Sequence, residues 1–199
     1  MNERETKNLV TEAKEYVVQT IRGVGDVAGA IVDATSSALA RALEGTRATG
    51  SELRALIADT ITGTVQGVAQ VGGEVESAAS SIMIGALRGA KQVGKTGIEA
   101  VSATAATLVK EAAELGGDVG RTARSAVEGA IKGARDVGMT AEQAASAAAS
   151  GALIGAGEIS SAALDQVRNV VTKTISGVKV VITEPFRSNE PQRFQDRAG

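Results

Sequence analysis

One amphipathic pattern repeats every 22 residues along nearly the whole of this chain, which confines it to folds that can hide the same apolar face many times over. The clearest copies are four decamers that start at Gly63, Gly85, Gly129 and Gly151 and end at Gly72, Gly94, Gly138 and Ser160. The stretch from Thr107 to Gly116 keeps their aliphatic spacing with fewer glycines. In one register the third decamer position falls on Ile21, Leu43, Val65, Leu87, Val109, Ile131, Leu153 and Ile175, every one aliphatic. The fifth position falls on Gly23, Gly45, Gly67, Gly89, Glu111, Gly133, Gly155 and Gly177, so Glu111 alone breaks the glycine column. The ninth falls on Val27, Thr49, Val71, Val93, Leu115, Val137, Ile159 and Val181.

The period fits a helix. Twenty-two residues make six turns at about 3.67 residues per turn, near the relaxed value of about 3.6. On that wheel the aliphatic columns share one side. Gln66, Arg88, Lys110 and Lys132 lie opposite, as do Gln70, Gln92, Glu114 and Asp136. Both prolines, Pro185 and Pro191, sit in the tail, and no Asn-Gly or Asp-Gly pair occurs. The expected fold class is therefore all-α without β-sheet, with a hendecad-type helix from about residue 3 to 183. Continuous or gently bent, it would extend roughly 270 Å at about 1.5 Å per residue. Alternatively, the doubled small residues Ala28-Gly29, Gly72-Gly73, Gly116-Gly117 and Ser160-Ser161 are turns that fold it into antiparallel hairpins of long helices. In domain terms, residues 1–13 start the helix, 14–183 carry the repeat and 184–199 form a Pro-containing tail.

The glycines demand a partner for this helix. Twenty-three of the 24 precede residue 184. At about 0.8–1 kcal/mol each relative to alanine, their combined cost approaches about 20 kcal/mol, too much for a helix standing alone in water. Close helix packing can offset it, because glycine lets two backbones approach. Gly63-xxx-Gly67, Gly85-xxx-Gly89, Gly129-xxx-Gly133 and Gly151-xxx-Gly155 have that spacing. Folding upon an apolar surface is the other route. The expected packing seam is thus the third and fifth columns: Ile21, Gly23, Leu43, Gly45, Val65, Gly67, Leu87, Gly89, Val109, Ile131, Gly133, Leu153, Gly155, Ile175 and Gly177.

Little in the chain points to catalysis. It has no Cys, no His and no Trp, one Tyr and two Phe, which removes thiolate chemistry and the commonest general base and metal ligand. Gly23-Val-Gly25-Asp-Val-Ala-Gly29 looks like a nucleotide loop, but no strand precedes it and its glycines obey the repeat. Gly94-Lys95-Thr96 lacks the glycine spacing of a phosphate loop. Glu74 with Glu76, and Glu111 with Glu114, read as solvated carboxylates on the polar side. Lys91, Lys95, Arg121, Arg124, Lys132 and Arg135 form a loosely basic flank suited to i,i+4 pairing or to acidic neighbours. With a net charge of -2 and few aromatics, no nucleic-acid partner is expected. No enzyme activity, cofactor or metal is expected either. No secretory leader or membrane-spanning segment is read from the sequence, so the expected compartment is the cytoplasm.

The tail differs from the rest. Glu184-Pro-Phe-Arg187 and Glu190-Pro-Gln-Arg193 echo one another, and both phenylalanines, Phe186 and Phe194, fall here. They are candidate docking residues for a neighbour's pocket.

The repeat over roughly residues 14–182 resembles those of apolipoproteins, perilipins, synuclein-like proteins, storage-granule phasins and some desiccation-protection proteins. That resemblance implies an amphipathic coat on lipid, membrane or granule surfaces. The residues favour a different partner. A seam of Val, Ala, Ile and Gly rewards close backbone approach, which protein offers and lipid does not. The expected function is a structural protein that self-assembles through this seam into an oligomer, tube or filament, with the lipid or granule coat as the alternative.

Overall fold

A computed structural model describes residues 3–22, 24–94 and 97–182. Among the described residues it is all-helical, with eight α-helices in order: α1 (Glu3–Ile21), α2 (Val27–Leu43), α3 (Gly50–Gln70), α4 (Val75–Gln92), α5 (Gly97–Glu114), α6 (Val119–Gly133), α7 (Ala141–Ile159) and α8 (Ser161–Val171). A 3-10 turn, Arg135–Val137, follows α6. The described residues contain no strand; one isolated bridge joins Ile175 and Val178.

The continuous helix and the hairpins of long helices are both corrected. The helices run from 11 to 21 residues. The reason lies in the last decamer position. Gly72, Gly94, Gly116 and Gly138 adopt positive φ, between 68° and 83°. A left-handed residue ends a helix, and only glycine takes that conformation without strain. The turn then closes as a Schellman motif: the N–H of Gly73 reaches Val68 O (2.9 Å), that of Gly117 reaches Ala112 O (2.7 Å), and that of Met139 reaches Ala134 O (2.9 Å). Polar side chains start the next helix. Asp118 accepts from Gly120 N and Arg121 N, Thr140 forms a capping box with Gln143, and Ser160 accepts from Ala163 N. Of the doubled small residues read as turns, Gly72-Gly73 and Gly116-Gly117 turn the chain and Ser160 separates α7 from α8. Ala28-Gly29 lies inside α2.

The helices stack in two rows. Most packing joins each helix to the one two places on: α1 with α3, α2 with α4, α4 with α6 and α5 with α7. Within a row the helices run parallel, since Gly63 and Gly67 of α3 meet Val10 and Lys14 of α1 in the same order. Contacts between consecutive helices join the odd row to the even row. Among the described residues one apolar cluster extends from Val17 to Val180, rich in alanine and without an aromatic ring at its centre. Several buried hydroxyls bond back along their own helices, as Thr35 Oγ1 does to Ile31 O (2.7 Å) and Thr64 Oγ1 to Thr60 O (2.9 Å), whereas the buried Thr104 Oγ1 has no such partner among the described residues.

Candidate functional site

The predicted seam is used inside the chain. Val65, Leu87 and Val109 are fully buried, and Ile21, Leu43, Leu153 and Ile175 nearly so, while Ile131 is half-buried. Gly67, Gly89, Gly133 and Gly155 are buried against the preceding helix of their row. A Cβ at Gly63 would sit 2.3 Å from Val10 O; at Gly85, 2.6 Å from Val32 O; at Gly129, 2.5 Å from Ser80 O. Side chains cannot occupy that space, so these glycines set the spacing of the rows. Gly45 and Gly177 serve otherwise: both lie in exposed turns with positive φ. Gly23 lies outside the described residues, as do Phe186 and Phe194.

Polar bridges repeat beside the glycines. Arg88 of α4 donates from Nε and Nη2 to Asp136 Oδ2 at 3.1 and 3.0 Å, and Lys91 Nζ donates to Asp136 O. Lys110 of α5 pairs with Glu158 of α7, and Gln166 of α8 donates to Asp118 Oδ1 (2.9 Å). The fourth-position cations Arg88 and Lys110 thus reach the eighth-position carboxylates Asp136 and Glu158 and tie neighbours within a row. They are exposed, so each contributes at most about 1 kcal/mol.

Glu111 is the exception in the glycine column and sits where α5 meets α3. The α3–α5 contact is less extensive than α1–α3 or α5–α7, as expected where Thr107 and Glu111 replace two glycines. Glu111 is 7% exposed, and Thr62 Oγ1 donates to its Oε1 at 2.6 Å. Burial pushes its carboxyl above the ordinary value of 4.5, against the lowering effect of the Thr62 hydroxyl; Glu114 adds a raising charge and Lys110 a lowering one. A raised acid binds its proton more tightly in the folded state. Ionised Glu111 therefore costs stability at neutral pH, and the cost fades as pH falls through the raised value. Glu111→Gln, which keeps an acceptor for Thr62, is expected to melt higher than the native chain at pH 7. That gain should shrink steadily and vanish below about pH 4.5, in paired thermal melts across pH. A gap that does not change with pH would remove this account.

The other sequence candidates resolve into local structure. Asp26 caps α2 by accepting from Gly29 N (3.0 Å), so the glycine-rich Gly25–Gly29 stretch is a helix start. Glu76 Oε1 accepts from Asp118 N (2.7 Å), and Glu74 Oε2 accepts from Ser77 Oγ (3.3 Å). Lys95 and Thr96 lie outside the described residues. Among the described residues no cluster of acidic side chains could hold a metal ion, and no helix is long and apolar enough to cross a membrane.

What the sequence reading did not single out is the edge where odd helices end and even helices begin. Val27, Val71, Leu115 and Ile159, each 44 residues from the next, recur along it. Val27 is 46% exposed, Leu115 49% and Ile159 39%. They are ninth-column residues, and the signal was their position next to the helix-ending Gly72, Gly116 and Ser160. Val27, Leu115 and Ile159 are left exposed at these helix ends, while Val71 packs partly against the core. At about 8–10 Å per helix step, the stripe is roughly 25–30 Å long.

At its α1–α4 end the edge opens into a groove of about 570 Å³. Ile21, Val27, Ile31, Val68 and Val71 line it, with Arg22 and Glu74 at the rim. The capping residues explain why it opens there. Asp118 is short enough to bond two α6 amides, and Glu76 and Gln166 close over it. Glu74, at the corresponding start of α4 and one methylene longer, caps nothing. Gly72 and Gly73 add no side chain to fill the space.

No family model, curated protein or solved structure matches the chain.

Proposed function

We propose that this is a non-catalytic structural protein that associates with copies of itself along the apolar turn edge. The seam read from the sequence is occupied within the chain, so the reading moves the intermolecular contact to Val27, Val71, Leu115 and Ile159. The supporting observation is the exposure of Val27, Leu115 and Ile159 along one edge, with Val71 partly buried between them. An apolar stripe of this length marks an interaction surface more often than a solvated one. A stacked-helix array also grows its surface in one dimension, which suits a long edge contact. The same reading keeps the chain in the cytoplasm.

Mass by light scattering in lipid-free, detergent-free buffer tests it. The native chain should form oligomers that grow with concentration. Leu115→Glu combined with Ile159→Glu should return it to monomer, with helix content by circular dichroism unchanged. A native chain that stays monomeric at every concentration would sink the reading. If that monomer instead floats with anionic vesicles, and the double variant does not, the edge serves a lipid surface.

A further inference from the structure

We infer that the groove between α1 and α4 receives the C-terminal segment of a second copy, with Phe186 as the inserted side chain. The inference rests on the self-association proposed above and names the segment that covers one end of the edge.

The groove is large enough for a ligand-sized or side-chain-sized occupant, at about 570 Å³, and its walls are aliphatic. Among the described residues no aromatic side chain lines it. The chain's one tyrosine, Tyr16, is already engaged: the Arg41 guanidinium stacks 4.3 Å from its ring centroid. Its two phenylalanines both lie beyond Ile182, in a segment otherwise polar and charged. Large rings seated in apolar pockets are the usual anchors of an interface.

Charge favours Phe186. The rim carries Arg22 and Glu74, both exposed, and neither takes part in an ion pair among the described residues. Phe186 is flanked by Glu184 and Arg187. A backbone laid across the groove with Glu184 towards Arg22 would bring Arg187 towards Glu74, so that each rim charge meets its opposite in that one direction. Pro185 adds no N–H that would be left without a partner on entering an apolar groove.

The test uses full-length chains and light scattering as before. Phe186→Ala should weaken self-association at least tenfold, and Glu74→Arg or Arg187→Glu alone should weaken it similarly. The double variant E74R/R187E should recover it. A mixture of E74R chains with R187E chains should associate where neither does alone, because the tail of one then matches the rim of the other. Native chains that associate while Phe186→Ala associates equally well would overturn this inference and leave the edge reading standing. Native chains that never associate would overturn the edge reading itself. Recovery of melting temperature in E74R/R187E at monomer mass would place the segment in its own chain's groove and overturn the second-copy assignment.

Discussion

Gly151→Ala is expected to destabilise the protein by about 1–3 kcal/mol, although alanine is the better helix former by about 1 kcal/mol. The new Cβ would lie 2.2 Å from Ser102 O and 2.8 Å from Ser102 Cα. Those are backbone atoms of α5, so relief requires α7 to move as a body. Gly155 makes the same approach, 2.4 Å to Ala106 O. The α5–α7 contact is the most extensive in the molecule, so little slack is available to absorb the shift. Gly157 supplies the control two residues further along α7. Nothing lies within 4 Å of a Cβ there, and the residue is exposed. Gly157→Ala should therefore stabilise by about 0.8–1 kcal/mol through helix propensity alone. Urea unfolding of the two variants should give opposite signs. If both stabilise, the glycines do not set the row spacing.

Leu87→Ala should cost about 2–5 kcal/mol, the range for emptying a fully buried leucine site. The core is thin in large side chains, so neighbours built from alanine have little to swing into the void. Its cost should also depend on Gly133 of α6. A Cβ there would meet Leu87 Cδ1 at 2.8 Å, while the nearest backbone atom, Ile84 Cα, is 3.6 Å away. Gly133 thus makes room for a side-chain tip, in contrast to Gly151, which makes room for a peptide. Gly133→Ala should be mildly destabilising in the native chain and stabilising in the Leu87→Ala background, where the methyl enters vacated space. The coupling should fall within about 0.5–3 kcal/mol in a double-mutant cycle by urea unfolding. Additivity within about 0.5 kcal/mol would show that the two residues do not share this space.

Several features were plain before any tertiary contact was known. Helical character followed from the aliphatic columns, and the GxxxG pairs announced close backbone packing. The turns were readable too, in part. Gly72, Gly94, Gly116 and Gly138 end their decamers at the repeat period, and Asp118, Thr140 and Ser160 are good helix-starting residues placed just after or at such ends. The period concealed them. Six helical turns and a shorter helix with its connecting turn both take 22 residues. Glycine inside a helix and glycine ending one look alike in a string of letters. Glu111 was visible as the odd member of its column, but its burial depends on α3 bringing Thr62 against it.

The pattern of the chain by itself determined that every repeat owns a face of small and aliphatic residues that must be covered, and that glycine would bring the covering backbone close. Only the tertiary structure decided what does the covering. Left-handed glycines such as Gly72, Gly94, Gly116 and Gly138 fold successive helices back, so the chain supplies its own neighbours: Gly63 finds Val10, and Gly151 finds Ser102. Covering within one chain needs no second molecule, which costs less association entropy than recruiting copies for every repeat. What stays uncovered is set by where the helices stop. That is why the edge at Val27, Val71, Leu115 and Ile159, and the groove beside Arg22 and Glu74, emerged from the meeting of helix ends.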